Sequence, residues 1–194
     1  MTLGLTQANA ALIFDNSSRG NFQSIRVAES SPLAAITVST NVDIGQIGAM
    51  VNLASNGNMR FLIFNLDTLA LLLSTPSAPY ADTGLAFHLS PIFSAFTLMP
   101  GITYGIGAIA DVAGNWETNN TSVGNPFMQN AITSSDDRNG NVINFVSPVL
   151  GAVQGSAMIM VQLFSADAAV PEPATFGLMG LGLLSLIVLR KRFA

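Results

Sequence analysis

Pro100-Gly101-Ile102-Thr103-Tyr104-Gly105-Ile106-Gly107-Ala108-Ile109-Ala110 is the stretch from which the fold can be read. Ile102, Tyr104, Ile106 and Ala108 alternate with Thr103, Gly105 and Gly107. A period of two, with one apolar face and one small or polar face, predicts a half-buried strand over 102–110. Pro100-Gly101 ahead of it suits a type II turn. Proline presets φ at the first central position and glycine supplies the positive φ at the second. Residues 93–99, on the other side of that turn, are expected to pair with 102–110 as a hairpin.

Outward from this point the chain repeats the pattern. Short β-type runs fall at 11–15, 22–28, 33–40, 44–52, 59–65, 68–74, 85–90, 93–99, 142–147 and 157–164, with turn signals between them. Met59 to Phe64 and Ala157 to Phe164 are nearly continuous apolar runs and predict central strands covered on both faces. Ser55-Asn56-Gly57-Asn58 leads into the first of them, with Asn-Gly as its turn. Asp67 to Ser74 reads either as a strand or as one turn followed by a strand. Many short strands at close spacing predict an all-β fold, a jelly-roll-like two-sheet sandwich over 11–168, with a single-sheet barrel as the alternative. The stretch 111–141 is polar and rich in asparagine, and is expected to be a long loop.

Composition narrows the partners. The chain has no cysteine, so it has neither disulfide framework nor thiol chemistry. Over residues 11–168, ten acidic against four basic residues leave a net charge near −6. That surface repels phosphate backbones, which argues against nucleic acid.

The two ends differ from the middle. Near the start, Ala8-Asn9-Ala10 fits a signal-peptidase site. No basic residue precedes Arg19, so residues 1–10 are expected to be the remnant of a longer signal peptide. At the other end, 169–173 has linker composition and closes on Pro171-Glu172-Pro173. Residues 174–189 follow, sixteen positions without a charge. As a helix these would span about 24 Å, slightly less than a bilayer core, and flanking cations can snorkel to cover the difference. Arg190-Lys191-Arg192 in the 190–194 tail then act as a stop-transfer signal that stays in the cytoplasm. The segment 174–189 is therefore expected to be a single transmembrane helix.

Val170-Pro171-Glu172-Pro173-Ala174-Thr175, a Gly/Leu-rich span and a terminal basic cluster resemble the PEP-CTERM sorting signal. The resemblance is confined to about residues 169–194. It implies a Gram-negative bacterium, an exosortase and export machinery as partners, cleavage near the motif, and delivery to the cell surface or an exopolysaccharide matrix.

Residues 11–168 offer few groups for chemistry. His88 is the only histidine. In Leu85-Ala86-Phe87-His88-Leu89 it lies opposite the leucines and is expected to face solvent. No G-x-S-x-G nucleophile motif accompanies it. Asp136-Asp137-Arg138-Asn139-Gly140-Asn141 fails the EF-hand template and reads as a hairpin turn at Asn139-Gly140, with an irregular oxygen-ligand calcium site as the alternative. Asp111, Glu117, Asp136 and Asp137 have no spacing that selects a catalytic pair. Trp116, with Asn119 and Asn120, has the equipment to stack on and hydrogen-bond to a sugar; its competing role is to cap the sandwich edge. No metal or other cofactor is expected. The sequence thus predicts an exported, exosortase-sorted surface or matrix protein with a non-enzymatic sandwich domain. The alternatives are a carbohydrate-binding module acting through loop 111–141 and a degenerate polysaccharide hydrolase.

Overall fold

β5 (Val42–Leu53), with twelve residues, is the longest strand among those the structure describes. Its core-facing residues are Ile44, Ile47, Ala49, Val51 and Leu53, all buried. Ile44 is out of phase with the rest by one position. A bulge corrects this: opposite Phe164 and Ser165, the pairing jumps from Gln46 to Ile44 and leaves Gly45 as the extra residue. A Cβ on Gly45 would lie 2.9 Å from the Ala166 Cα, so only glycine fits there.

The structure is a computed structural model that describes residues 10–19, 22–119, 126–135, 140–151 and 158–166. The first sheet is antiparallel with eight strands. It runs β1 (Leu12–Asp15), β18 (Val161–Ser165), β5, β12 (Gly114–Asn119) and β17 (Met158–Ile159). β9 (Ala86–Leu89) and β10 (Phe96–Leu98) also pair with β5, and β2 (Phe22–Arg26) with β12. The second sheet has seven strands: β13 (Phe127–Gln129), β14 (Ile132–Ser135), β4 (Ala34–Val38), β11 (Tyr104–Ala110), β6 (Gly57–Asn65) and β7 (Leu71–Ser74), with β8 (Ala78–Tyr80) also on β6. A third, three-stranded sheet joins β16 (Val149–Leu150), β15 (Asn141–Ile143) and β3 (Ser30–Pro32). The described residues are all-β, in several antiparallel sheets rather than one closed barrel. The third sheet adds to the two that the jelly-roll-like sandwich reading expected.

The two large sheets enclose the main core, which includes Phe14, Ile36, Ile47, Val51, Phe61, Ile63, Tyr104, Ile106, Trp116 and Leu163. Leu33, Leu62, Phe64, Ile109, Val142 and Phe145 form a second, smaller core. β11 belongs to both: every residue from Tyr104 to Ala110 is buried. The half-buried reading of this strand is therefore corrected. Gly105 is not a solvent-facing position, because a Cβ there would come within 2.7 Å of Leu66 and 3.2 Å of Leu33. Small residues on that face admit a second layer of side chains.

The expected hairpin across Pro100-Gly101 is also corrected. The turn exists, with Gly101 at φ +82°. β10, however, pairs with β5 in the first sheet, while β11 pairs with β4 and β6 in the second. The turn carries the chain from one sheet to the other. The Met99 amide donates to the Tyr104 hydroxyl at 2.9 Å across this crossing.

The sheets are tied along both sides. At one seam Asn130 Nδ2 donates to the Ile13 carbonyl at 2.6 Å, the Asp15 amide donates to Gln129 Oε1 at 2.6 Å, and Phe14 meets Phe127 edge-on. At the other seam the Tyr80 hydroxyl donates to the Leu89 carbonyl at 2.6 Å. Asn16, fully buried, uses both ends of its carboxamide: Oδ1 accepts from the Val161 amide at 2.7 Å and Nδ2 donates to the Ile159 carbonyl at 3.1 Å. These bonds satisfy main-chain groups that the short, irregular ends of β17 and β18 leave unpaired.

Candidate functional site

Trp116 has two readings in the sequence, a sugar platform and a cap on the sandwich edge. It stands in the middle of β12, with Val51 of β5 on one side and Ser24 of β2 on the other. Its neighbours on the same face, Gly114 and Thr118, are buried with it. The indole is 1% exposed and lies in the main core. A ring so enclosed has no face for a sugar, so the stacking role is corrected and Trp116 is a core residue. The reason is register: β12 crosses what looked like a loop, and its alternate positions point between the sheets. The stretch 111–141 is correspondingly no long loop, since β12, β13 and β14 occupy most of its described part. The side chain of Asn119, Asn120 and the Asp136–Asn139 segment lie outside the described residues.

His88 is likewise corrected. It pairs with Ala49, which faces the core, and is 7% exposed. Its ring meets Tyr80 edge-on at 5.6 Å, and its Nε2 is buried without a hydrogen-bond partner. Burial pushes the imidazole pKa below its ordinary value, partly offset by a hydrogen bond to the Val51 main chain. On the same strand as Trp116, burial pushes the Glu117 carboxyl pKa up. No cluster of three or more His, Asp or Glu side chains suited to a metal occurs among the described residues.

An open cleft of about 430 Å³ lies beside Tyr80, lined by Asn56, Gly57, Asn58, Pro79, Tyr80 and Ala81. Sequence reasoning passed over it. Asn56-Gly57 was read only as a turn, and nothing local marks Tyr80 as its neighbour.

The remaining candidate is the C-terminal address. The first and last described segments lie together: the Ala11 amide donates to Ser165 Oγ at 3.0 Å and the Ser165 amide donates to the Ala11 carbonyl at 2.8 Å. The Ala166 amide donates to the Asp43 carbonyl at 3.1 Å. Beyond Ala166 come the linker 169–173, Pro171, Glu172, Pro173, the apolar span 174–189 and Arg190, Lys191 and Arg192. All of these, and residues 1–9, lie outside the described residues. Among the described residues no helix is long and apolar enough to cross a membrane.

A family model described as the PEP-CTERM protein-sorting motif matches residues 169–192. The chain carries this sorting motif. The match covers Pro171-Glu172-Pro173, the uncharged span and the basic triplet together. The PEP-CTERM motif implies export and an exosortase as processing partner. No curated protein matches the chain.

Proposed function

We propose that the protein is an exported, exosortase-sorted component of the cell surface or the exopolysaccharide matrix, and that its sandwich is non-enzymatic. The observation that carries this reading is the sorting motif at residues 169–192. In this reading 174–189 holds the protein in the inner membrane for a time, with Arg190, Lys191 and Arg192 on the cytoplasmic side. Exosortase then acts at Pro171-Glu172-Pro173 and hands the sandwich on.

The test is fractionation of the full chain behind a complete signal peptide, with and without exosortase. Without the enzyme, the protein is expected in the membrane fraction. With it, the protein should leave that fraction as a shorter species. Deleting 174–194 should give a soluble exported form in either background. Full-length protein that stays soluble in the cytoplasm would overturn the reading.

A further inference from the structure

We propose that the open edge of β7 is a self-association surface, to which a second copy of this chain adds antiparallel about a two-fold axis at Leu73. Nothing in this contact involves the sorting motif.

The direction of the main chain sets the contact. β7 ends the second sheet, and among the described residues it pairs with β6 alone. The Thr75 amide donates to the Phe61 carbonyl at 2.9 Å, and the Asn65 amide donates to the Ala70 carbonyl at 2.9 Å. These two bonds fix which groups are turned toward β6. Leu73, two positions before Thr75 and opposite Ile63, is turned the same way. Ser74 between them is turned away. Leu72 is the extra residue of the bulge, between Leu73 opposite Ile63 and Leu71 opposite Phe64, and its main-chain groups also fall on the open side. The edge thus presents an N–H and a C=O at Leu72 and again at Ser74. With the axis at Leu73, Leu72 exchanges two bonds with the second copy's Ser74, and Ser74 two with the second copy's Leu72. One strand supplies both halves of the ladder.

The side chains match under the same axis. Leu73 packs partly buried against the main core, and the axis sets it against its own copy at the position where side chains approach most closely. On the other face, beside Phe64 of the outer core, Leu71 and Leu72 are 41% and 42% exposed. Pairing covers these leucines with the same leucines.

Charge points to a copy as the occupant. Open edges are commonly blunted by charged side chains. The run 68–81, which holds β7 and β8, has none, and Asp67 and Asp82 bound it. Residues 11–168 carry a net charge near −6, so two copies repel, and an edge free of carboxylates is where they can meet. Pro79 lacks an N–H and denies a further strand the β8 end of the edge. The axis uses up the edge in both copies, so association closes at a dimer. A contact of four residues per copy is far smaller than a stable interface of about 1,600 Å², so the dissociation constant is on the order of 0.1–1 mM.

The experiment is sedimentation equilibrium of the full chain in detergent micelles up to about 1 mM, at low and high salt. A monomer–dimer equilibrium is expected, strengthened by salt. Leu72→Lys places a cation on the edge of each copy, and Ser74→Pro removes the outward N–H without changing the leucines. Both sites are exposed, so the melting temperature should stay near that of the wild type. Each change acts twice across the axis and should weaken the dimer at least about tenfold. Because the chain has no cysteine, Leu73→Cys carries a single thiol that meets its copy at the axis. On mild oxidation it should form disulfide dimers in far higher yield than Thr83→Cys, an exposed control away from β7. If Leu73→Cys does not fold, the two edge variants decide. A chain that stays monomeric leaves the edge to a different strand and overturns the proposal. So does a dimer that survives Leu72→Lys and Ser74→Pro in folded protein, since it is built elsewhere, or folded Leu73→Cys that cross-links no better than the control. These measurements on purified protein are blind to export, so the β7 contact and the sorting route can fail independently.

Discussion

The two cores of this protein are built differently. The main core lies between two broad sheets and takes its side chains from long strands that alternate in register, β5, β6, β11 and β12 among them. The outer core lies on the opposite face of β11 and β6, with Leu33, Val142 and Phe145 packed over Leu62, Phe64 and Ile109. Among the described residues, short strands cover it: β3 and β15 with three residues each and β16 with two. Its lid is held by few ladder bonds, and Ile143 and Val149 on the far side of the lid are exposed. Burial alone does not distinguish the two, since Val142 and Trp116 are equally hidden. The number of strands that must separate to open each one does.

The strongest test of this difference is Trp116→Ala. Loss of the largest buried side chain should cost about 3–5 kcal/mol, read as a fall in the urea midpoint and the melting temperature. Wild-type fluorescence, which has a single indole as its source, should be blue-shifted and resistant to iodide. A loss below about 1 kcal/mol would be the value for a surface residue and would remove Trp116 from the core.

Val142→Ala probes the lid. Two methyl groups are deleted from a fully buried site, so a cost of about 2 kcal/mol is expected. Hydrogen exchange should sharpen the contrast. The amides of β3 and β15 should exchange by local opening, well before Ile106 and Ile63 in the paired centre of the second sheet. Equal protection in the lid and in β11 would mean that the two cores open as one.

The smallest expected effect belongs to His88, at the seam where the main core reaches the sheet edges. Burial favours its neutral form in the folded state. As pH falls through about 6.5, the unfolded chain binds a proton that the folded chain resists. Stability is thus full above that value and declines below it until the folded imidazole also titrates. His88→Gln should flatten this part of the profile. The comparison is made between variant and wild type because Glu117, with its raised pKa, contributes a slope of the opposite sign in both. An unchanged profile would place His88 in water.

The sequence showed the strands better than their partners. Period two in 102–110 and the turn at Pro100-Gly101 are local signals, and both are present in the structure. Which sheet each side of that turn joins depends on Ile44 and Ile63, far away in sequence, and no local signal carries it. Glycine misled at Gly105, which stood on the small or polar face of the strand although it marks close packing against Leu33 and Leu66. The asparagines around Trp116 made a strand resemble a loop. His88 was placed by the leucines flanking it, yet Leu85 and Leu89 are the exposed residues and the imidazole is sheltered by Tyr80. Of the candidate sites, the sorting motif was legible because it is linear and needs no fold to be read. The Tyr80 cleft was not, since its lining residues come from separate segments.

The Asn16 clasp bears on the order in which the molecule can be completed. Its partner Val161 lies 145 positions later in the chain. Among the described residues β1 next to it pairs with β18, which is also the strand that flanks much of β5. A chain emerging from its N-terminus therefore waits with a buried-to-be carboxamide unpaired and a sheet edge open until almost the whole sandwich has appeared. Closure at such long range is slow. It also comes last of all, when the segment immediately ahead of the sorting motif arrives, so that the finished domain and its delivery address become available at nearly the same moment.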